Sequence, residues 1–154
     1  GVNERDHGSL YNTSVGNEAM IRAIVEAIAG VDRSVIYLAL GGAQAPLVTK
    51  IAREAGIRVA FEAFPDRAYT PEGKLAPRSL PGAVIKDPKI AAERALRMAR
   101  EGKIVTTDGS VLTMQIDTIC VHGDNPSAVE LVKNIRSAIE AEGISVVPMG
   151  TFIK

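Results

Sequence analysis

Val35-Ile36-Tyr37-Leu38-Ala39-Leu40-Gly41-Gly42 is the stretch that decides how the rest of the chain is read. Six apolar residues without alternation mark a strand buried on both faces, the kind found in parallel sheets covered by helices. The two glycines that follow end the strand and permit a tight turn. Upstream, Ala19/Met20, Ala23/Ile24 and Ala27/Ile28 recur every four positions. That stripe predicts a helix capped by Ser14 or Asn17 and stopped at Gly30. Residues 1–8 read as polar and irregular. Downstream, a helix is expected over 44–55, with Pro46 in its first turn and Gly56 at its end, and then a strand over 57–61.

Farther along, Asp87-Pro88 reads as an N-cap with proline at the first helical position, opening a helix that stops at Gly102. Residues 104–107 and 110–113 flank Asp108-Gly109, a hairpin signal. A buried strand is expected over 118–121. Asp124 or Asn125 caps a helix with the stripe Val129, Val132, Ile135 and Ile139, and a last strand is expected over 144–147. Alternating strands and helices with short connections define an α/β fold of parallel strands with one inserted β-hairpin. Four core strands are too few to close a barrel. Ligands of such sheets bind at the carboxyl ends of the strands, which places Gly41-Gly42-Gln44, the 62–67 segment and His122-Gly123-Asp124 on one rim.

Between the strand at 57–61 and the helix at 87 lies a long loop with prolines at 65, 71, 77 and 81. A loop of this length in a compact domain is functional or disordered. Phe61, Phe64, Tyr69 and Leu75 give it apolar anchors, so an ordered loop is expected. Its charges fall in two clusters: Glu62, Asp66 and Arg67, then Arg78-Ser79. Two arginines in one stiffened loop suit a carboxylate or phosphate. The alternative is a surface loop whose arginines pair with its own acids. His122 at a strand–helix turn has the chemistry of a general base, and Asp124 either orients it or caps the helix. Cys120, in an apolar strand, reads as a small core residue.

The 154 residues suit one domain, 1–154. Eighteen Lys plus Arg balance eighteen Asp plus Glu, so no global field favours nucleic acid or an anionic membrane. Cys120 is the sole cysteine, so no internal disulfide forms, consistent with a cytoplasmic protein. The apolar runs are too short to span a bilayer, and no signal peptide is visible. The start at Gly1-Val2 without methionine points to a processed or partial chain. Gly41-Gly42 lacks the remainder of a dinucleotide fingerprint and there is no Walker lysine motif, so ATP binding by this chain is not expected.

Four blocks carry a resemblance: His7-Gly8-Ser9-Leu10-Tyr11-Asn12, Phe64-Pro65-Asp66-Arg67-Ala68-Tyr69, Leu75 through the Arg78-Ser79-Leu80-Pro81-Gly82 run to Ile85, and Thr118-Ile119-Cys120-Val121-His122-Gly123-Asp124. In this order they resemble the LamB/YcsF family, the A subunits of ATP-dependent 5-oxoprolinase. The resemblance implies a (β/α) barrel of the glycoside hydrolase/deacetylase-like type, of which this chain looks like the C-terminal part. It lacks the family's Asp-Leu-Asn-Cys-Asp-Leu-Gly-Glu, Gly-Phe-His-Ala-Gly-Asp and Ala-His-Pro-Gly blocks. Arg5-Asp6 also stands where the family has Lys-Pro.

The implied activity is ring-opening hydrolysis of activated 5-oxo-L-proline to L-glutamate. ATP would be used by two other 5-oxoprolinase subunits, and a homo-oligomer is compatible with this. The implied catalytic set is His122, Asp124, Asp66, Glu62 and His7, with Arg67, Arg78, Ser79, Tyr11, Asn12 and Tyr69 toward the substrate. The same acids and histidines offer ligands for a divalent metal, which keeps a metal-dependent amidohydrolase or deacetylase as an alternative. A third reading is an inactive barrel fragment serving as an interaction module.

Overall fold

A computed structural model describes residues 3–4, 8–122 and 128–154. The elements follow in the order β1 (Asn3–Glu4), α1 (Gly8–Ser14), α2 (Glu18–Val31), β2 (Ile36–Leu40), α3 (Ala45–Ala55), β3 (Arg58–Ala63), α4 (Pro88–Glu101), β4 (Lys103–Val105), β5 (Val111–Thr113), β6 (Thr118–Ile119), α5 (Ala128–Ala141) and a 3-10 turn (Met149–Thr151). The main sheet runs β1-β2-β3-β6, all parallel, and β4-β5 form a separate antiparallel hairpin.

The apolar run at 35–40 becomes β2, in the interior of this sheet. Its side chains alternate between faces, as a pleated strand requires. Tyr37 and Ala39 join Ile21, Val25, Val48, Ile51 and Phe61 in one core under α2 and α3. Leu40 joins Tyr11, Ala63, Phe64, Tyr69, Met98, Ile104 and Met114 in a second. A third core packs α4 on α5 through Ala91, Ala95, Leu131, Ile135 and Ile139. The helix signals behave as their chemistry dictates. Asn17 caps α2 by accepting the Met20 N–H, and Asp87 caps α4 by accepting the Lys89 N–H at 2.8 Å. Gly56 and Gly102 end α3 and α4 with φ of 69° and 63°. None of the described helices is long and apolar enough to cross a membrane.

Four expectations need correction. First, residues 1–8 are not all irregular, since β1 pairs with β2 and α1 begins at Gly8. A two-residue polar strand has no periodicity to read, and only its neighbour makes it a strand. Second, 144–147 forms no strand, and Val146 and Val147 are exposed. A strand exists only where a ladder satisfies its backbone, and no described strand pairs with these residues. Third, α2 buries Ile21 and Val25 rather than the Ala19/Met20 rows. The branched side chains remove more apolar area from water than alanines do. Fourth, α5 buries Ala128, Leu131, Ile135 and Ile139, while Val129 and Val132 stay exposed. Spacings of three, four and four follow the helical period more closely than the stripe expected from the valines.

Candidate functional site

The rim is assembled by register. Ala63 of β3 stands opposite Ile119 of β6. Counting three residues onward from each reaches Asp66 and His122, so two side chains far apart in sequence leave adjacent strand ends at equal offsets. Asp117 locks that register: its N–H donates to Phe61 O at 2.8 Å, and its carboxylate accepts the Phe61 N–H at 2.8 Å. The Cys120 N–H donates to Ala63 O at 2.9 Å and carries the pairing one step further.

At the end of these ladders His122 Nδ1 lies 3.0 Å from Asp66 Oδ2. A carboxylate accepts, so the ring nitrogen facing it carries a proton, and in the neutral form of the ring Nε2 keeps the lone pair. Phe64 stacks on the imidazole with ring centroids 5.2 Å apart and planes within 13°, and Tyr11 meets Phe64 edge-on at 6.2 Å. The histidine is therefore held by a hydrogen bond at one edge and an aromatic plate on one face. Asp66 is 8% exposed, and among the described residues its Oδ1 is buried without a partner.

The long loop is ordered by its own backbone. Ile85 N–H donates to Asp66 O, Ala68 N–H to Ala83 O, and Ala76 N–H to Ala68 O. Thr107 N–H, from the β4–β5 turn, donates to Tyr69 O. Close packing at the strand ends requires glycine. A Cβ on Gly41 would meet Gln115 O at 2.8 Å, and Gly42, at φ 137°, would place one 3.0 Å from Gly73 O.

Arg94 of α4 reaches across to this loop. Its Nε donates to Pro65 O at 3.0 Å and its Nη2 to Arg67 O at 2.8 Å, gripping the carbonyls on either side of Asp66. No sequence argument singled out Arg94. Its signal was a charge lying on the α4 stripe beside Ala91, Ala95 and Met98, where a side chain with no task would be apolar.

Arg67 is buried and donates to Ala76 O at 2.7 Å, so its bond goes to the loop's backbone rather than to the loop's acids. Burial and then the neighbouring Arg78 push its guanidinium below the usual range, with Asp66 offsetting part of the effect. Arg67, Arg78 and Asn12 line one cavity of about 290 Å³ together with Lys74. Ser79 is exposed and does not line it. Tyr11 is buried against Phe64.

Tyr69 is 0% exposed, and its hydroxyl oxygen accepts the Phe64 N–H at 2.9 Å. Burial raises its pKa far above the normal tyrosine range. In this placement Tyr69, expected toward the substrate, is a buried post that holds the Phe64 backbone. Glu62 belongs to β3 itself and is 2% exposed. His7 and Asp124 lie outside the described residues. Both were expected among the metal ligands. Among the described residues no three His, Cys, Asp or Glu side chains gather closely enough to hold an ion.

The described chain thus sets a histidine–carboxylate pair and a buried guanidinium at the strand ends of a parallel α/β sheet. The chain belongs to the LamB/YcsF family, which it matches over residues 5–154. It is 49% identical over 150 residues to the A subunit of 5-oxoprolinase from Pyrococcus furiosus, covering 97% of this chain and 58% of that protein. To the corresponding A subunit of 5-oxoprolinase from Syntrophobacter fumaroxidans it is 45% identical over 146 residues, covering 95% and 56%. Among solved structures it is similar to the lactam utilization protein from Thermus thermophilus, with a TM-score of 0.79 and 40% identity, covering 92% of this chain and 55% of that one. The chain spans just over half the length of the relatives it matches.

Proposed function

We propose that this chain carries the ring-opening machinery of a 5-oxoprolinase A subunit, converting activated 5-oxo-L-proline to L-glutamate. The observation that carries this reading is the 3.0 Å His122–Asp66 pair, next in sequence to the arginine that opens on the anion-suited cavity. Asp66 holds the proton on Nδ1, and Phe64 fixes the plane of the ring. Nε2 then takes a proton from water, whose oxygen adds to the ring carbonyl carbon. The same imidazolium returns that proton to the ring nitrogen as the C–N bond breaks, which leaves the activating phosphoryl group on the opened chain as an acyl phosphate; a second water then cleaves that bond, releasing phosphate and L-glutamate. Arg67 and Arg78 bind the anionic groups of the activated substrate.

An unstrained five-membered lactam is a poor electrophile, which gives ATP its place: activation of the carbonyl oxygen on two partner subunits. The parallel sheet serves in this account as part of a (β/α) barrel with the site at the carboxyl ends of its strands. The names of the relatives and of the lactam utilization structure support this reading. The test is glutamate release from 5-oxoproline and ATP by the assembly of this protein with its partner subunits, after metal-free purification. Release that depends on this protein supports the proposal. Release that appears only on adding a divalent metal, or that needs no partner, overturns it in favour of a metal-dependent amidohydrolase acting alone.

A further inference from the structure

Both contacts of the His122 ring come from one turn of chain. Asp66 supplies the carboxylate 3.0 Å from Nδ1, and Phe64 supplies the ring stacked on the imidazole. Between them the chain doubles back, with the Arg67 N–H donating to Phe64 O at 3.3 Å. The strand ladder does not reach this turn, because β3 ends at Ala63. Arg94 and the Ile85 N–H hold the carbonyls of Pro65, Asp66 and Arg67. The entry to the turn is held differently. Phe64 is 2% exposed, and a buried backbone N–H needs an acceptor. That acceptor is the Tyr69 hydroxyl, 2.9 Å away.

Resting on the functional reading above, we infer that Tyr69 is a positioning residue for ring opening: its hydroxyl pins the Phe64 backbone and so sets the aromatic plate and the carboxylate that hold His122. The Tyr69 ring lies in the second core with Leu40, Met98, Ile104 and Met114. Its carbonyl accepts the Thr107 N–H at 2.8 Å, and Tyr69 bridges to Leu75 across the loop. A side chain wedged in a close-packed core and tied at its backbone is a fixed reference point. Phenylalanine at this position would bury nearly the same apolar surface, so burial alone does not call for the hydroxyl. What the hydroxyl adds is a bond to the residue whose ring stacks on the imidazole. Without it the Phe64 N–H is buried unpaired, and the turn shifts to relieve it. A displacement on the order of 1 Å at a catalytic group costs up to about 10²-fold in rate. Tyr69 is fully buried, so it acts through Phe64 and Asp66 rather than on the substrate.

The test is Tyr69→Phe in the assembly with its partner subunits, with Val25→Ala as a control. Val25 is buried in the first core, under α2 and α3, so its truncation lowers stability without touching the turn. Tyr69→Phe keeps the ring and the backbone bonds of the loop, so both variants should fold and melt below wild type. In Tyr69→Phe, kcat should fall by about 10–100-fold while KM stays within about threefold. Val25→Ala should keep the wild-type kcat well below its melt. NMR of the imidazole nitrogens in the uncomplexed chain gives a readout without turnover, the His122 signals being assigned by their loss in His122→Ala. Wild type and Val25→Ala should hold the proton on Nδ1, and Tyr69→Phe should mix the two tautomers. An unchanged kcat or an unchanged tautomer in Tyr69→Phe, or the same changes in Val25→Ala, overturns the inference. An assembly that fails to open 5-oxoproline, while the tautomer still depends on the Tyr69 hydroxyl, would sink the functional reading and leave the positioning of the pair standing.

Discussion

Replacing His122 by alanine is expected to lower glutamate release by about 10²–10⁴-fold, the range that a positioned general base contributes. The variant should keep its melting temperature close to wild type. His122 is only partly buried, and its partners are the face of Phe64 and one carboxylate oxygen. Asp66 would lose its imidazole but is still anchored through its own carbonyl, which accepts the Ile85 N–H at 2.8 Å. A large loss of activity with an intact melt separates a catalytic histidine from a structural one.

The second large effect belongs to Arg94. Its two hydrogen bonds fasten Pro65 and Arg67, and therefore Asp66 between them, to α4. A hydrogen bond to a charged group contributes about 1.5–3 kcal/mol, so Arg94→Met should cost about 2–4 kcal/mol once partial exposure is allowed for. Activity should fall as well, because the base loses its fixed carboxylate while every atom of His122 and Asp66 remains. Arg94→Lys should recover little, since an ammonium cannot reproduce the fork that reaches two carbonyls. Chemical denaturation beside turnover measures both effects. A variant that melts and turns over like wild type would show that the loop holds Asp66 without help from α4.

What could be read in the sequence follows from which forces are local. The run at 35–40, the stop at Gly56 and the Asp87-Pro88 cap each report their own neighbourhood, and each became the element expected. The long loop was legible as ordered because its apolar anchors were visible. The placement of Tyr69 was not legible, because aromatic character beside a charged cluster looks the same whether the ring faces a ligand or, as here, a core. The meeting of Asp66 and His122 depends on the β3–β6 register, a long-range pairing closed through Asp117 that no window of sequence contains. Arg94 went unnoticed for the same reason: it matters because of the loop that folds against it. The strand expected over 144–147 failed in the opposite sense, having strand-like composition but no described partner.

The central claim is that His122 and Asp66 act as one unit. A double-mutant cycle on ring opening, with His122→Ala, Asp66→Asn and the two combined, tests it most directly. Once the imidazole is gone, Asp66 has nothing left to orient. The double variant should therefore be no slower than His122→Ala alone, with strongly non-additive losses. Losses that multiply, as they do for independent sites, would contradict the account and assign Asp66 a role of its own.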